Sequence, residues 1–549
     1  MANHLIPAIA ESIQKNWDSP ALSDFKGVTY TFRQVAEEIA RLQIIFSAAG
    51  VKQGDKVALC AKNSAAWAIT FLAGLHYGAV VVPILHEFNP ESVEMLVAHS
   101  EAKLLFTEKA ISDKLDAAKM PALEAAVLIP DYTIAFGKNS KVAETVGELD
   151  KIFAEHYPDG LDRNALNTRI PDPMSLALIN YTSGSTGNPK GVMISYDNLW
   201  GNVKFGLDMI PFLYPGDGML SMLPLAHMYG LVFEFIFPLC KGCHVTLLGR
   251  VPSPRVVLEA FSEVKPKLVI TVPLVIEKII KTSVMPILNL PVMKVLTYIP
   301  GLRNIIFRNI RQKLIHAFGG QLQELILGGA ALNEEVEKLL RKIRFPFTVG
   351  YGMTECAPLI SHTPWRSFIP GSCGRTLPNM ESKIISDDPK NKPGEICVRG
   401  QDRMKGYYKA PDITEATIDT EGWLHTGDMG TISDDGTIFI KGRYKTMILS
   451  ASGQNIYPEE IESKLNNMPY VSESLVVERG KGLTAIVYPD YERMDADGLD
   501  MSALIEVMER NRNDLNHLVA PYERVDHVQL IPHEFEKTPK KSIKRYLYT

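Results

Sequence analysis

Residues 181–191 read YTSGSTGNPKG, and they carry the clearest chemical potential in the chain. The stretch follows the apolar run SLALIN and ends with Lys190 and a glycine. Hydroxyl groups, backbone N–H groups and a lysine are the donors that bind a polyphosphate. The Walker A pattern GxxxxGK[ST] is absent, so a phosphate site here would be of another type. Taken alone, the stretch is also consistent with a simple linker.

Six further motifs follow this loop in a fixed order. They are LPLAHMYG ending at residue 230, GGAAL (328–332), YGMTE (351–355), WLHTGD (423–428), GRYKTMI (442–448) and SGQNIYPEEIE (452–462). With the loop, they resemble the adenylate-forming superfamily of acyl-CoA synthetases, peptide-synthetase adenylation domains and firefly luciferase. The resemblance covers nearly the whole chain, and seven ordered motifs are far more specific than any one of them.

The resemblance implies an ATP site whose parts are spread along the chain. The β- and γ-phosphates would be held by Thr182, Ser183, Gly184, Ser185, Thr186, Gly187 and Lys190. Glu355 would bind Mg²⁺ with Thr182 as a second oxygen ligand, because Mg²⁺ at a nucleotide prefers one or two carboxylates plus phosphate oxygens. An isolated glutamate is otherwise a solvated surface charge.

The nucleoside half of the site is implied by the later motifs. Tyr351 and Gly352 would lie at adenine, with Tyr351 stacked on the base, and Thr354 would contact the α-phosphate. Asp428 and Arg443 would bind the ribose hydroxyls. The small residues Gly328, Gly329 and Ala330 would let the backbone lie against adenine, although they also suit a tight strand-to-helix turn.

Four residues are candidates for catalysis, again by resemblance. His227 would line the passage between the acyl carboxylate and the phosphates, although an isolated histidine is more often structural. Lys445 occupies the hinge position between two domains. Adenylation also needs a lysine near the C-terminus, but the tail FEKTPKKSIKRYLYT has Ser542 at the aligned position. Lys541 is the first candidate for the role of this lysine and Lys544 is the second. The alternative is that the tail is only a solvated basic segment.

These residues imply a reaction in two steps. A carboxylate attacks the α-phosphorus of ATP, pyrophosphate leaves, and a thiol then displaces AMP from the acyl-adenylate. The stretch IRQKLIHAFGGQLQELILGGAALN and YGMTECAPLIS are most similar to long-chain fatty acyl-CoA synthetases, so we expect a fatty acid substrate and coenzyme A. One alternative is a fatty acyl-AMP ligase or acyl-carrier-protein loader, and a second is a non-catalytic nucleotide-binding homologue. A luciferase-like oxidation of the acyl-adenylate is a more remote third.

Residues 278–313 carry seven lysines and arginines among apolar residues and no acidic residue. A basic, apolar segment suits the surface of a membrane, where fatty acids partition. The other interpretation is an amphipathic helical cover over the acyl tunnel. The sequence therefore predicts either a peripheral membrane contact or a lid at this segment.

The hydrophobic pattern predicts the elements that position these residues. YTFRQVAEEIARLQIIFSAAGV has apolar residues at three- and four-residue steps, which indicates an amphipathic helix. Apolar runs alternating with helical segments predict a parallel α/β sheet up to about residue 380. We expect an α/β fold with a large N-terminal domain (1–443), made of parallel-sheet subdomains to about 380 and a distorted β-barrel at about 380–443. A small, mobile α+β C-terminal domain (444–549) follows, with the boundary at 443–446.

Composition narrows the class of protein. The 549 residues have a net charge of -5 and a pI near 6.3, which argues against nucleic acid as the main partner. Six cysteines without a secretory leader indicate a reducing compartment, so we expect a cytoplasmic protein, at most peripheral on the inner membrane surface. The Cys240-Lys-Gly-Cys243 pair lacks a second ligand pair for zinc nearby and is better explained by packing at a turn.

Overall fold

The computed structural model describes most of the chain as a series of α/β layers followed by a small C-terminal unit. The described residues are 4–164, 166, 170–182, 189–250, 253–449, 454–480, 482–537 and 543–549. The α-helices are Leu5–Lys15, Phe32–Ala48, Ala65–Tyr77, Pro90–Ser100, Lys109–Ser112, Ser140–Gly147, Leu149–His156, Tyr196–Met209, Met228–Gly230, Phe237–Cys240, Pro254–Val264, Pro273–Ile279, Met285–Leu288, Pro291–Tyr298, Pro300–Ala317, Glu334–Lys342, Pro411–Thr417, Pro458–Leu465, Tyr491–Ala496 and Met501–Leu518. Leu231–Ile236 and Ile280–Val284 are π-helical.

The N-terminal α/β region contains three sheets with parallel pairing. The largest has eight strands in the spatial order Gly406–Tyr407, Lys190–Ser195, Leu176–Thr182, Val80–Pro83, Lys56–Cys60, Leu104–Thr107, Ala125–Leu128 and Ile134–Gly137. The second runs Gly218–Ser221, His244–Leu247, Pro20–Asp24 and Thr29–Thr31, and the third runs Leu268–Thr271, Glu324–Leu327 and Phe347–Val349. Inner strands of all three pair in parallel, as the buried apolar runs predict.

The predicted amphipathic helix is confirmed as Phe32–Ala48. Its N-terminus is closed by a capping box, in which the Thr31 hydroxyl accepts the Gln34 backbone N–H and the Gln34 side chain accepts the Thr31 N–H. The apolar residues that define its period are fully buried, so this face packs into the main core.

Residues 351–443 contribute two antiparallel sheets, of which the second lies where the short alternating runs after about residue 380 predict strands. Tyr351–Gly352, Leu359–His362 and Arg375–Thr376 make a three-stranded sheet. Met380–Ile385, Gly394–Gly400, Leu424–Ile432 and Ile438–Arg443 make a four-stranded sheet in that spatial order. This second sheet ends at the turn where the sequence predicts the domain boundary.

The C-terminal unit is an α+β layer with its own core. Helices Pro458–Leu465 and Met501–Leu518 cover a sheet of Val471–Arg479, Gly482–Pro489 and Val525–Leu530. Ile448–Leu449 and Asn455–Ile456 form a short hairpin before it. The described members of this core all follow the turn after Arg443. The predicted fold class is confirmed, whereas the boundary at 443–446 stays a prediction.

The Cys240 and Cys243 pair flanks a turn at the end of helix Phe237–Cys240. Cys243 is fully buried, and its Sγ lies 3.7 Å from the Tyr214 carbonyl oxygen. Burial raises the pKa of the Cys243 thiol to about 12, so this sulfur stays protonated at neutral pH. This placement agrees with packing at a turn.

Candidate active site

The predicted phosphate loop joins two antiparallel strands. Leu176–Thr182 pairs with Lys190–Ser195, and Thr182 lies directly opposite Lys190. Directly opposed residues of an antiparallel pair present their side chains on the same face of the sheet. Ser183–Gly187 lie outside the described residues, so their phosphate contacts stay predictions. The hairpin nevertheless brings Thr182 and Lys190 to the base of one loop.

Tyr407 connects the lysine of the loop to the predicted metal ligand, and the sequence analysis missed it. It lies on the edge strand Gly406–Tyr407, paired with Val192. Its hydroxyl donates a hydrogen bond to Glu355 Oε1 at 2.9 Å, and Lys190 Nζ lies 5.1 Å from its ring centroid. Burial and the charge of Glu355 raise the pKa of Tyr407, so it stays a neutral donor. A carboxylate and an ammonium group are therefore held around one phenol.

Glu355 is the predicted carboxylate ligand for Mg²⁺. It belongs to the 3₁₀ turn Thr354–Cys356, and the Met404 N–H donates to its carbonyl oxygen at 2.8 Å. Glu355 and Thr354 are both half-buried, as is Thr182. Carboxylate and hydroxyl oxygens are the hard donors that Mg²⁺ uses beside phosphates. The residues present therefore fit Mg²⁺.

The predicted ribose residues form a connected group. Asp428 is buried, and its carboxylate accepts a 2.7 Å hydrogen bond from the Tyr351 hydroxyl. Arg443 lies opposite Asp428 in the sheet register, and its Nε is 3.0 Å from Asp428 Oδ1. Burial raises the pKa of Asp428, and the charge of Arg443 and the Tyr351 hydrogen bond oppose this shift. The structure thus brings together three residues that the sequence assigned to the nucleoside.

The turn that carries Asp428 is held by a second set of side chains. Glu395 Oε1 accepts the Gly427 N–H at 3.1 Å, and its Oε2 lies 2.8 Å from His425 Nδ1. Cys397 Sγ is 3.5 Å from the same nitrogen. Glu395, Cys397 and His425 are close enough together to hold a metal ion. Their hydrogen bonds already explain the cluster as a support for the Asp428 turn.

Two glycines of the motifs are required by close contacts. A Cβ on Gly328 would lie 2.9 Å from the Tyr229 ring, and one on Gly352 would lie 2.1 Å from the Pro358 carbonyl oxygen. Gly328 is buried at the end of strand Glu324–Leu327, whereas Gly329 and Ala330 are exposed just after it. The strand-to-turn geometry thus leaves exposed backbone at 329–330, where the sequence predicts contact with adenine.

The loop that carries His227 is fixed by three polar side chains from elsewhere in the chain. Glu234 Oε2 accepts the N–H groups of Met222 and Leu223 at 3.0 and 2.8 Å. Asn63 and Asn180 hold the same loop through its backbone: the Leu225 N–H donates to Asn63 Oδ1 at 2.9 Å, and Asn180 Nδ2 donates to the Ala226 carbonyl oxygen at 2.8 Å. His227 itself is half-buried and begins the short helix Met228–Gly230. The histidine is therefore presented by a rigid loop.

Comparison with known proteins decides the family. The model of the AMP-binding enzyme family matches residues 9–408. A 4-coumarate–CoA ligase 2 from Oryza sativa subsp. japonica is 31% identical over 481 residues, 84% of this chain and 78% of that protein. The chain belongs to the AMP-binding enzyme family. The predicted resemblance to the adenylate-forming superfamily is thereby confirmed.

Further relatives of this AMP-binding enzyme are similar over most of their length. A long-chain-fatty-acid–CoA ligase from Escherichia coli O6:H1 is 28% identical over 494 residues, 86% of this chain and 82% of that protein. The crystal structure of ATP-bound MatB from Rhodopseudomonas palustris superposes with a TM-score of 0.78 at 22% identity, over 100% of this chain and 98% of that chain. A Mycobacterium tuberculosis fatty acyl CoA synthetase gives a TM-score of 0.66 at 21% identity, over 99% and 98%. At these identities the two structures support the fold alone.

The predicted hinge of this AMP-binding enzyme lies in the turn after the last strand of the four-stranded sheet. Lys445 is exposed in this turn, which the Met447 N–H closes by donating to the Arg443 carbonyl oxygen at 3.0 Å. The Thr446 hydroxyl donates to Glu459 Oε1 at 2.6 Å, and Glu459 lies on the first helix of the C-terminal unit. Thr446 thus links the turn to the C-terminal unit.

The tail packs back onto the C-terminal unit. Arg545 pairs with Glu462 at 2.8 Å and donates to the Val476 carbonyl oxygen at 2.9 Å, which anchors the chain after the predicted catalytic region. Lys544 pairs with Glu536 at 3.1 Å. Lys541 lies outside the described residues, so its catalytic role stays a prediction. The contact of Lys544 lies within the tail itself.

Proposed function

We propose that this AMP-binding enzyme is an AMP-forming acyl-CoA ligase. A carboxylic acid and ATP would give acyl-AMP and pyrophosphate, and coenzyme A would then give the acyl thioester and AMP. The observation that carries the proposal is the grouping of Lys190, Tyr407 and Glu355 in one part of the fold, together with the Asp428 and Arg443 pair. One group supplies ligands for phosphates, and the other supplies acceptors and donors for a ribose.

The residues of the chain would act mainly by binding and alignment. Lys190 would bind phosphate oxygens as charge is transferred to the leaving pyrophosphate, and Asp428 would accept hydrogen bonds from the ribose hydroxyls. His227, on its braced loop, would bound the passage through which the carboxylate approaches. When bound at Glu355, Mg²⁺ supplies charge neutralisation on the phosphates. Alignment of this kind holds the carboxylate and ATP in the geometry of reaction, so the step no longer depends on a bimolecular encounter.

For the acid we propose a fatty acid, of long chain by the resemblance of residues 310–333 and 351–361. The Escherichia coli relative named as a long-chain-fatty-acid–CoA ligase supports this choice. A second candidate is an aryl acid of the 4-coumarate type, because several of the most similar relatives are named as 4-coumarate–CoA ligases. The two acids differ in length and shape, so one substrate series can separate them.

The test is an ATP–pyrophosphate exchange screen with saturated fatty acids of increasing length and with 4-coumarate. Exchange that peaks with a long fatty acid, and thioester formation when coenzyme A is added, is the expected result. Exchange with 4-coumarate alone would move the substrate to the aryl class. Exchange without turnover of free coenzyme A would favour an acyl-AMP ligase or a carrier-protein loader. No exchange with any acid would favour a non-catalytic homologue.

Two variants tie the activity to the site. Lys190→Ala and Glu355→Ala each remove a charge from a preorganised site, which should cost on the order of 2–4 kcal/mol in the transition state. Glu415→Ala removes an exposed carboxylate on helix Pro411–Thr417 and serves as the matched control. If Glu355→Ala shows normal exchange and normal Mg²⁺ dependence, Glu355 is not a ligand of the metal.

A further inference from the structure

A cluster of exposed apolar side chains lies on three consecutive helices and the links between them, all of which follow strand Leu268–Thr271 in the chain. Eight large hydrophobic residues within 287–305 are at least 41% exposed. They are Ile287, Leu290, Val292, Val295, Tyr298, Ile299, Leu302 and Ile305. We call residues 285–317 the basic hairpin, because helix Pro291–Tyr298 packs against helix Pro300–Ala317. No residue of Pro291–Tyr298 is buried.

The density of exposed apolar residues here differs from the rest of the described chain. Single exposed hydrophobic residues such as Val28, Ile385 and Ile505 are scattered over the surface, which is normal for a folded protein. A contiguous exposed patch instead indicates an interaction surface. Within Pro291–Tyr298, Val292, Val295 and Tyr298 recur every three residues and are 69%, 64% and 86% exposed. They therefore share one outward face.

The charge of the same segment is entirely positive. Residues 278–313 carry Lys278, Lys281, Lys294, Arg303, Arg308, Arg311 and Lys313, and the next acidic residue is Glu324. Lys294, Arg303 and Arg308 are exposed. Exposed cations beside exposed apolar groups complement an anionic lipid surface.

The hairpin is suited to lie on a membrane rather than to cross it. In the described part of the chain no single helix is long and apolar enough to span a bilayer. Pro273–Leu288 and Pro291–Tyr298 together pass a test of length and composition, but they are bent by 83° at their break. Ile276, Ile280 and Val284 of the first helix pack in the protein core. That helix therefore belongs to the globular unit, and the exposed apolar residues from Leu290 to Ile305 remain to contact lipid.

We propose that the basic hairpin docks this protein on an anionic lipid bilayer. The outward apolar face inserts among the acyl chains near the headgroups, and the lysines and arginines bind the lipid phosphates. Docking itself does not depend on the proposed function. The purpose of docking rests on the proposed function, because a long-chain fatty acid partitions into the bilayer and the enzyme would bind it there.

Two other occupants are less suited to this surface. A second copy placed face to face would bring the five lysines and arginines of each hairpin together, which opposes association. An acidic protein would match the charge alone, whereas an anionic bilayer matches both the charge and the helix Pro291–Tyr298, none of whose residues is buried. A dimer of this chain is one of the outcomes of the test below.

The first arm of the test measures charge. The full chain is mixed, without substrate, with phosphatidylcholine vesicles or with vesicles that also contain phosphatidylglycerol, and the bound fraction is measured by sedimentation at several salt concentrations. We expect binding only to the anionic vesicles and weaker binding at high salt. Arg303→Gln with Arg308→Gln should weaken partitioning by about 30-fold, since each cation at such a surface contributes about five- to sixfold. Lys114→Gln with Lys342→Gln, which neutralises two exposed lysines elsewhere, should bind like the parent.

The second arm measures the apolar face. Val295→Ser with Tyr298→Ser should weaken vesicle binding about tenfold or more, because both side chains would lose their burial among acyl chains. Ile385→Ser with Ile505→Ser removes exposed apolar groups elsewhere and should have no effect. None of these residues belongs to the motifs assigned to the nucleotide, so all four variants should keep ATP–pyrophosphate exchange with a water-soluble acid, which also shows that they fold.

Three results would overturn the proposal. They are a parent protein that does not pellet with anionic vesicles, hairpin variants that pellet as well as their controls, and a concentration-dependent dimer that only the Val295→Ser and Tyr298→Ser variant abolishes. Vesicle binding is measured without substrate. A failed substrate screen with normal vesicle binding would therefore count against the proposed function and leave the docking surface intact.

Discussion

Removing one hydroxyl group from Tyr407 should weaken the first half-reaction. This hydroxyl donates to Glu355 Oε1 at 2.9 Å, and burial keeps it protonated. A hydrogen bond to a charged group contributes about 1.5–3 kcal/mol, and each 1.4 kcal/mol corresponds to about tenfold in rate. Tyr407→Phe should therefore lower adenylation by about 10- to 100-fold. The phenyl ring would still face Lys190, so the loss reports on the hydroxyl alone.

The measurement is pyrophosphate exchange over a range of Mg²⁺ concentrations. If Tyr407 acts by orienting Glu355, the variant needs more Mg²⁺ for half-maximal rate, a change that a general loss of stability would not produce. Tyr408→Phe is the matched control, because that neighbouring hydroxyl lies 3.4 Å from Glu101 on the protein surface. A double variant with Glu355→Gln should show little further loss, since coupled residues are not additive. A Tyr407→Phe enzyme with the rate and Mg²⁺ dependence of Tyr408→Phe would refute this reasoning.

The remaining predictions concern the braced loop, the hinge, the tail and one buried carboxyl. Glu234→Ala leaves two backbone N–H groups without an acceptor, so the melting temperature and the adenylation rate of this variant should both fall. Glu234→Gln should keep the melting temperature and the rate of the parent. Equal behaviour of the two variants would contradict the role of Glu234 in holding the loop before His227. Lys445→Pro should restrict the hinge turn, so we expect acyl-AMP formation to survive and transfer to coenzyme A to collapse, as measured in separate half-reaction assays; equal loss of both would count against domain alternation. Lys541→Ala should lose adenylation but retain transfer from supplied acyl-AMP, with Lys544→Ala as the rival, and normal adenylation in both would show that another residue or the lysines jointly fill the role. Burial raises the pKa of Glu324 from its usual 4.5 to about 7, so protonated Glu324 favours the folded state at low pH, and this contribution is lost as the pH rises from about 4.5 to 7. The melting temperature of Glu324→Gln should therefore rise relative to that of the parent between pH 5 and pH 8. A difference in melting temperature that stays constant over this range would contradict the raised pKa.

The sequence alone determined the elements and motifs whose signals are local. The spacing of Val35, Ile39, Leu42 and Phe46 predicts the helix that the structure shows as Phe32–Ala48, because burial of one helical face repeats every three to four residues. The short alternating runs after residue 380 predict strands for the same reason, at a period of two, and the structure arranges them in the four-stranded antiparallel sheet. The family was also predictable, since its motifs are contiguous stretches in a fixed order.

The tertiary structure decided which distant side chains meet at the site. The local sequence GYYKAP gives no sign that Tyr407 belongs to a site, yet its hydroxyl donates a hydrogen bond to Glu355, 52 residues away in the chain. Glu234 lies in the apolar run LVFEFI and looks misplaced there, until the structure shows it capping the loop before His227. Periodicity reports which face of a local segment is buried, but it carries no information on the partner across a contact. Those partners follow from strand order, register and packing, which arise only when the whole chain folds.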